Sequence, residues 1–438
     1  MRHARRVETV KEIFLPIPID NHGARLQALL RIRYQLLGGL LLAVVLPVLA
    51  RISVGAEVMF ERNITVGVIS AVLAHGLGYS VYRRMATFPG VAAASYLLPS
   101  FLFSYGVVFL VVLLLRLDYS RFLLVASLVL SIAWYLGLSL VMRRLQTYRL
   151  AVIPGGDVGK LSSIQGITWL QLTDAQRLPH KVNGVVVDLR ADLPVEWERF
   201  IADTALSGLP VYHVQQIMES LTGRVEIEHL SENTFGLLNP DPAYSRIKHS
   251  LDWLAALGVL VFLSPLLVLV ALLVRLESPG PALFRQQRIG YRGQYFIVYK
   301  FRTMRSSGQE SEIEDAITKH EDGRITRIGR FLRRTRIDEL PQSINVLRGE
   351  MSWIGPRPEA VVLSRWYERE LPFYRYRHIV RPGISGWAQV VQGHVATVDD
   401  VLEKLHYDFF YIKNFSPWLD LVIILRTIKT VLSGYGAR

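Results

Sequence analysis

Long uninterrupted apolar runs, not the short alternations of a soluble fold, dominate the first third of this chain. They cover residues 34–52, 64–82, 91–115 and 123–142. Each approaches or exceeds the ~20 residues a helix needs to cross a bilayer. Basic residues set the orientation. Arg2, Arg5, Arg6, Lys11, Arg25, Arg31 and Arg33 precede the first run, Arg83 and Arg84 separate the second from the third, and Arg143, Arg144 and Arg149 follow the fourth. The opposite loops hold only Arg51, Arg62, Arg116 and Arg121. The excess of positive charge stays inside, so both ends of a four-helix bundle over residues 34–145 are expected in the cytoplasm, behind a basic leader of residues 1–33. The leader ends in no small-residue cleavage site, so no signal peptide is expected.

The pattern then shortens. Apolar segments at 150–153, 169–172, 185–187 and 211–212, with a helical period over 196–206, predict a degenerate Rossmann-like α/β domain spanning residues 146–243. After the first of these strands comes Pro154-Gly155-Gly156-Asp157-Val158-Gly159-Lys160. This loop resembles a dinucleotide fingerprint, but Pro154 stands where the first glycine makes the tight turn, and no Ser or Thr follows Lys160 as a phosphate loop requires. Asp174 lies about where a ribose-binding acid would be. Nucleotide binding and a packing or regulatory role both stay open for this domain.

A fifth apolar run covers residues 251–276. Arg246 and Lys248 precede it and Arg285, Arg288, Arg292 and Lys300 follow, so both flanks favour the same side of the membrane. Ser264-Pro265 falls inside the run, where proline removes a helix donor and serine can satisfy a freed carbonyl. A re-entrant helix over 244–276 is therefore expected; an ordinary kinked span is the alternative. Residues 277–438 read as a mostly helical cytoplasmic domain with a strand at 295–299, amphipathic segments at 361–376 and 398–415, and a last apolar stretch at 418–432 suited to an interface or to core packing. The fold class is thus membrane α plus α/β, without internal repeats.

Composition sharpens this. Hydrophobic residues make up 51% of the 438 and charged ones 20%, more apolar surface than a soluble core of this size buries. The net charge of +13 points to membrane lipid head groups or phosphates; nucleic acid fits poorly, because the basic residues hug apolar segments. The absence of cysteine excludes thiolate metal sites and cysteine nucleophiles.

The densest polar constellation runs from Arg330 to Glu359. Arg333, Arg334 and Arg336 lead into Asp338-Glu339-Leu340-Pro341, and Pro341 suits the first turn of a helix that Gly349 can end. That places Asp338 at the cap and Glu339 in the first turn, a favourable setting for phosphate, where one carboxylate could attack phosphorus and the other hold magnesium. Ordinary capping explains the same residues equally simply. Lys300, Arg302 and Arg305 add cations after the predicted strand, and Pro356-Arg357-Pro358 presents a guanidinium on stiff extended backbone.

In this order and spacing the chain from about Tyr244 onward resembles the bacterial sugar transferase family, the monotopic polyprenyl-phosphate phosphoglycosyl transferases. The resemblance rests on Ser264-Pro265, Ser278-Pro-Gly-Pro-Ala-Leu-Phe284, Gln287-Arg288-Ile-Gly290, Lys300-Phe-Arg-Thr-Met304, Asp338-Glu-Leu-Pro-Gln342, Asn345-Val-Leu-Arg-Gly349, Gly355-Pro-Arg-Pro358 and Arg381-Pro-Gly-Ile-Ser-Gly-Trp-Ala-Gln389. The bundle and α/β domain look like those of its long members. The resemblance implies that Asp338 attacks the β-phosphorus of a UDP-hexose, glucose or galactose by analogy, and releases UMP. It further implies that Glu339 binds Mg2+, that undecaprenyl phosphate then takes the sugar phosphate from the aspartate, and that the product begins an exopolysaccharide, capsule or O-antigen unit. Lys300, Arg302, Arg333 and Arg357 would hold phosphate, Arg381 and Trp387 the nucleotide, and Ser264 and Pro265 the helix break. The implied location is the bacterial inner membrane, with the catalytic domain facing the cytoplasm. Gln392-Gly393-His394 departs from the family's usual asparagine-glycine-arginine, which leaves the role of that loop in sugar choice open. A membrane scaffold or nucleotide sensor without transferase activity is the competing class, and oligomeric state, homo-oligomers included, stays open.

Overall fold

The computed structural model describes residues 32–53, 62–85, 93–145, 148–164, 167–175, 178–179, 182–226, 240–305, 323–371, 373–392 and 398–433. The basic leader before residue 32 and the Gly393-His394 loop lie outside them. The chain divides into two compact units, Met1–Gly223 and Arg224–Arg438.

The first unit holds four helices long and apolar enough to cross a membrane: α1 (Ile32–Ser53), α2 (Arg62–Met85), α3 (Ala93–Leu114) and α4 (Arg121–Leu145). Their outward faces carry aliphatic side chains such as Leu37, Leu73, Leu110 and Val125, while polar and aromatic groups turn inward. His75 shares a hydrogen bond with Ser131 at 2.8 Å, Tyr105 hydroxyl with Ser127 at 2.6 Å, and Tyr135 stacks on both Tyr79 and Phe101. With no water to compete, such bonds and close ring packing hold a bundle that apolar contact with lipid alone would not.

Next in the same unit come β1 (Tyr148–Val152), β2 (Ile167–Gln171), β3 (Gly184–Val187), α5 (Val195–Leu206), β4 (Val211–His213) and α6 (Val214–Thr222). The four strands form one parallel sheet in the order β2-β1-β3-β4. Both faces are buried, which is why Val185, Val186 and Val187 run without alternation. The glycine-bearing loop after β1 turns through positive φ at Gly155 and Gly156. The carboxylate of Asp188, at the end of β3, fills it: one oxygen accepts from the Asp157 amide and the other from the Arg190 amide, each at 3.0 Å. A Cβ on Gly156 would collide with that carboxylate. Asp174 is exposed after β2.

The second unit opens with α7 (Pro242–Phe262) and α8 (Ser264–Glu277), bent by 65° at Leu263. Ser264 Oγ donates to the carbonyl of Val261 at 2.8 Å, and Pro265 lies in the first turn of α8, as the dipeptide's chemistry dictates. The root of α7 is polar and buried. Lys248 contacts Asp420 at 2.7 Å, and Tyr244 and Tyr411 hydroxyls donate to the same carboxylate at 2.6 and 2.8 Å. Asp252 accepts from Ser352 at 2.5 Å.

A hairpin of β5 (Leu283–Ile289) and β6 (Tyr295–Phe301) follows, then α9 (Arg327–Thr335), a tight 3-10 turn over Ile337–Gln342, and α10 (Ser343–Leu347). The chain continues through β7 (Ser352–Ile354), α11 (Val361–Glu370), a second 3-10 turn over Tyr374–Ile379, β8 (Gly383–Ser385), α12 (Trp387–Val391), α13 (Val398–Lys413) and α14 (Pro417–Ser433). Strands β7 and β8 pair in parallel. In α14 the Leu419, Val422 and Ile423 face is buried while Ile424 and Ile428 are exposed, so one helix serves the core and still offers an apolar outer side. Asp420 belongs to the buried side, in line with the core-packing alternative for this stretch.

Candidate active site

Asp338 and Glu339 do not cap a regular helix. Arg336 ends α9 in the left-handed region (φ 58°), a conformation that costs a residue with a side chain roughly 1–2 kcal/mol, and the 3-10 turn carries both carboxylates inside it. Pro341 in a first turn and Gly349 as a stop suggested one continuous helix. The tight turn before α10 instead rotates Asp338 and Glu339 into the domain, where both are buried.

Lys300 arrives from β6, on the sheet face shared with buried Phe296 and Val298. The register of that strand is locked by Asn345, which donates to the Ile297 carbonyl at 2.6 Å and accepts from the Tyr299 amide at 3.2 Å. Arg357 comes from the proline-flanked segment after β7. These cations converge on one oxygen of Glu339: Lys300 Nζ at 3.0 Å, Arg357 Nη2 at 2.8 Å and Arg336 Nη1 at 3.8 Å. Asp338, only 8% exposed, has an oxygen without a hydrogen-bond partner, and the Gln342 amide nitrogen in the same turn also lacks one.

The neighbouring carboxyls are driven in opposite directions. Burial, then the adjacent Glu339, raises Asp338 to about 6 against the pull of Lys300, Arg336 and Arg357. Burial alone would raise Glu339 too, but Arg357, Lys300 and Arg336 outweigh it and hold that carboxyl well below its usual range. Burial and the nearby Arg357 lower Lys300 to about 8 although Glu339 opposes them. One acid is thus locked in an ion cluster while the other stays uncommitted and basic enough to act, the division of labour expected of paired carboxylates with separate tasks.

The other residues expected at the site are engaged in contacts of their own. Arg302 caps the end of α8, its guanidinium donating to Ser278 O at 2.7 Å, Ser278 Oγ at 3.0 Å, Pro279 O at 3.0 Å and Val274 O at 3.4 Å. Carbonyls at a helix end need donors, and the arginine answers that need instead of joining the cluster around Glu339. Arg333 donates to Thr303 Oγ1 at 2.9 Å. Arg381 donates to the Gly349 carbonyl at 2.9 Å and lies over Tyr291, while Trp387 is 1% exposed, stacked on Phe410 and covered by Arg426.

Sequence reasoning named Arg336 among the arginines before Asp338 without giving it a role of its own, and it passed over a second tier of buried charge. Arg377 pairs with Asp408 at 2.8 Å, Lys404 with Glu359, and Arg288 donates to the Pro358 carbonyl. A signal existed at Asp408, a lone carboxylate directly before Phe409-Phe410-Tyr411 in an apolar helix face. Among the described residues no cluster of three or more His, Cys, Asp or Glu could hold a metal. Magnesium needs less, since one or two carboxylates plus substrate phosphates and water complete its shell, and Glu339 is the carboxylate that would supply such a ligand.

A family model described as Bacterial sugar transferase matches residues 243–434. The UDP-N-acetylgalactosamine-undecaprenyl-phosphate N-acetylgalactosaminephosphotransferase of Aeromonas hydrophila is 44% identical over 404 residues, covering 91% of this chain and 94% of that protein. The UDP-glucose:undecaprenyl-phosphate glucose-1-phosphate transferases of Caulobacter vibrioides and Escherichia coli are 43% and 41% identical over 200 and 184 residues. They cover 45% and 42% of this chain, and 74% and 39% of their own lengths. The site is a buried carboxylate pair inside a guanidinium-ammonium cluster, in a chain with four helices long and apolar enough to cross a membrane. The chain belongs to the bacterial sugar transferase family.

Proposed function

We propose that this chain transfers a hexose 1-phosphate from a UDP-sugar to undecaprenyl phosphate, beginning a surface polysaccharide. The observation that carries the reading is the buried, unpartnered Asp338 oxygen beside a Glu339 gripped by cations. An Asp338 oxygen forms a bond to the β-phosphorus while the bond from that phosphorus to the bridging oxygen breaks, its electron pair leaving with UMP. An oxygen of undecaprenyl phosphate then bonds to the same phosphorus and the aspartate is released, with no net proton transfer. Lys300 and Arg357 neutralise phosphoryl oxygens as charge gathers on them. Glu339 would hold a magnesium ion, which supplies further charge neutralisation for the diphosphate.

The bent helix pair supports a re-entrant arrangement. The 14 residues of α8 extend about 21 Å, short of the ~30 Å hydrocarbon core. On α7 the first turns are held in the cytoplasmic fold by Lys248 and Asp252, and only the remainder can enter lipid. Both arms also end on the same unit: Asp252 bonds to Ser352, and Glu277 accepts from the Ile328 amide at 2.9 Å. This reading puts the catalytic unit on the cytoplasmic side of the inner membrane, with Asp338 within reach of a lipid phosphate. The four-stranded parallel sheet is read as a degenerate Rossmann-like domain.

Glucose and galactose are the sugars the long architecture suggests, and the relative matched along nearly its whole length adds N-acetylgalactosamine. The test incubates the full chain with magnesium, undecaprenyl phosphate and each of the UDP-sugars, and follows UMP. Release with one donor, together with a phosphosugar adduct on Asp338 when the lipid is withheld, is the expected result. No UMP from any donor would end the proposal.

A further inference from the structure

The segment that presents Arg357 has an unusual anchoring problem. Strand β7 ends at Ile354, and Pro356 and Pro358 then remove two of the amides by which a strand would be pinned to a neighbour. The carbonyl side must be held by donors from elsewhere, and it is. Arg377 Nη2 donates to the Arg357 carbonyl at 2.8 Å, Arg288 to the Pro358 carbonyl, and Lys404 pairs with the Glu359 carboxylate. Three cations thus grip three consecutive residues.

Arg377 is the most committed of them. Its side chain is 2% exposed, as is that of Asp408. Nε and Nη2 both donate to Asp408 Oδ2, at 3.1 and 2.8 Å, and Nη1 donates to Tyr374 hydroxyl at 2.6 Å. Burying such a pair brings little or no net stability, because desolvation offsets the attraction; apolar residues of similar volume commonly do as well or better. Stability therefore does not account for the pair, whereas geometry does. Only a planar fork with several N–H groups can hold a carboxylate and a main-chain carbonyl at once.

We propose that Arg377, oriented by Asp408, is a positioning residue for phosphoryl transfer: it fixes the main chain at Arg357 so that this guanidinium meets Glu339 and the donor's phosphate. The inference rests on the transferase reading above. Misplacing a catalytic cation by about 1 Å costs on the order of 10²-fold in rate.

The test uses the full chain in lipid nanodiscs and two variants. Arg377→Lys keeps a cation beside Asp408 but loses the fork. The double variant Arg377→Met/Asp408→Leu removes both charges together. Each variant is expected to melt within a few degrees of wild type. Its kcat for UMP release should fall about 10²-fold with KM for the UDP-sugar changed only a few-fold. A fall in kcat with KM nearly kept is a split that a purely structural pair would not cause. A folded variant with wild-type kcat would overturn the proposal, and so would failure of both variants to fold, which would assign the pair to stability. A wild-type protein inactive with every UDP-sugar sinks the transferase reading instead.

Discussion

Replacing Asp338 by asparagine should abolish sugar-phosphate transfer and, near neutral pH, make the protein harder to unfold. The carboxyl is raised from 3.8 to about 6. Each pH unit of such displacement corresponds to about 1.4 kcal/mol, so the ionised form carries a penalty of about 3 kcal/mol in the folded state. Asparagine removes the charge but brings an amide that needs partners, which returns about 1 kcal/mol. The net gain is about 2 kcal/mol, and for a unit the size of Arg224–Arg438 this means a rise in melting temperature of roughly 4–8 °C. The sign depends on pH. A folded-state value above the unfolded one means that the cost is absent below about pH 4, where both states are protonated, grows between about 4 and 6, and is complete above that. Thermal melts of wild type and Asp338→Asn in nanodiscs, at several pH values across this range, measure the difference directly. UMP release should drop by at least about 10³-fold in parallel. An asparagine variant that melts at or below wild type near neutrality, or a difference indifferent to pH, would refute the reasoning.

The adjacent acid behaves oppositely: Glu339→Gln leaves Lys300 and Arg357 facing a neutral group, and melting should reveal a loss of about 3–5 kcal/mol. The pH profile of kcat/KM should rise through about 6 as Asp338 loses its proton and fall through about 8 as Lys300 loses its own, and Lys300→Arg should remove the alkaline limb. Arg302→Met should lower stability by roughly 1–3 kcal/mol by orphaning the carbonyls that end α8, with kcat/KM close to wild type in the UMP assay.

The four long apolar helices were legible almost to the residue, because a span of ~20 apolar side chains has few other uses. What they enclose was not. His75, Tyr105 and the pair Ser131 and Tyr135 meet from three helices, and no period along one segment announces such a meeting. At the site the motif order was readable, but the fate of each arginine was not. Arg302, Arg333 and Arg336 all stand within a few residues of chemistry, and only the chain's path, including the left-handed turn at Arg336, sends one of them to Glu339 and another to a helix end. The surroundings of Trp387 were hidden for a related reason: its motif gives no sign that Phe410 and Arg426 close over it. Arg377 and Asp408 escaped because their partnership joins residues 31 positions apart.

The loop after β1 carries one more lesson. Its amide at Asp157 already serves the resident carboxylate of Asp188, with Gly156 allowing that approach. A visiting phosphate would find the donor taken and a like charge standing in its way. A phosphate at that amide would first have to displace the aspartate that the loop's glycines let in.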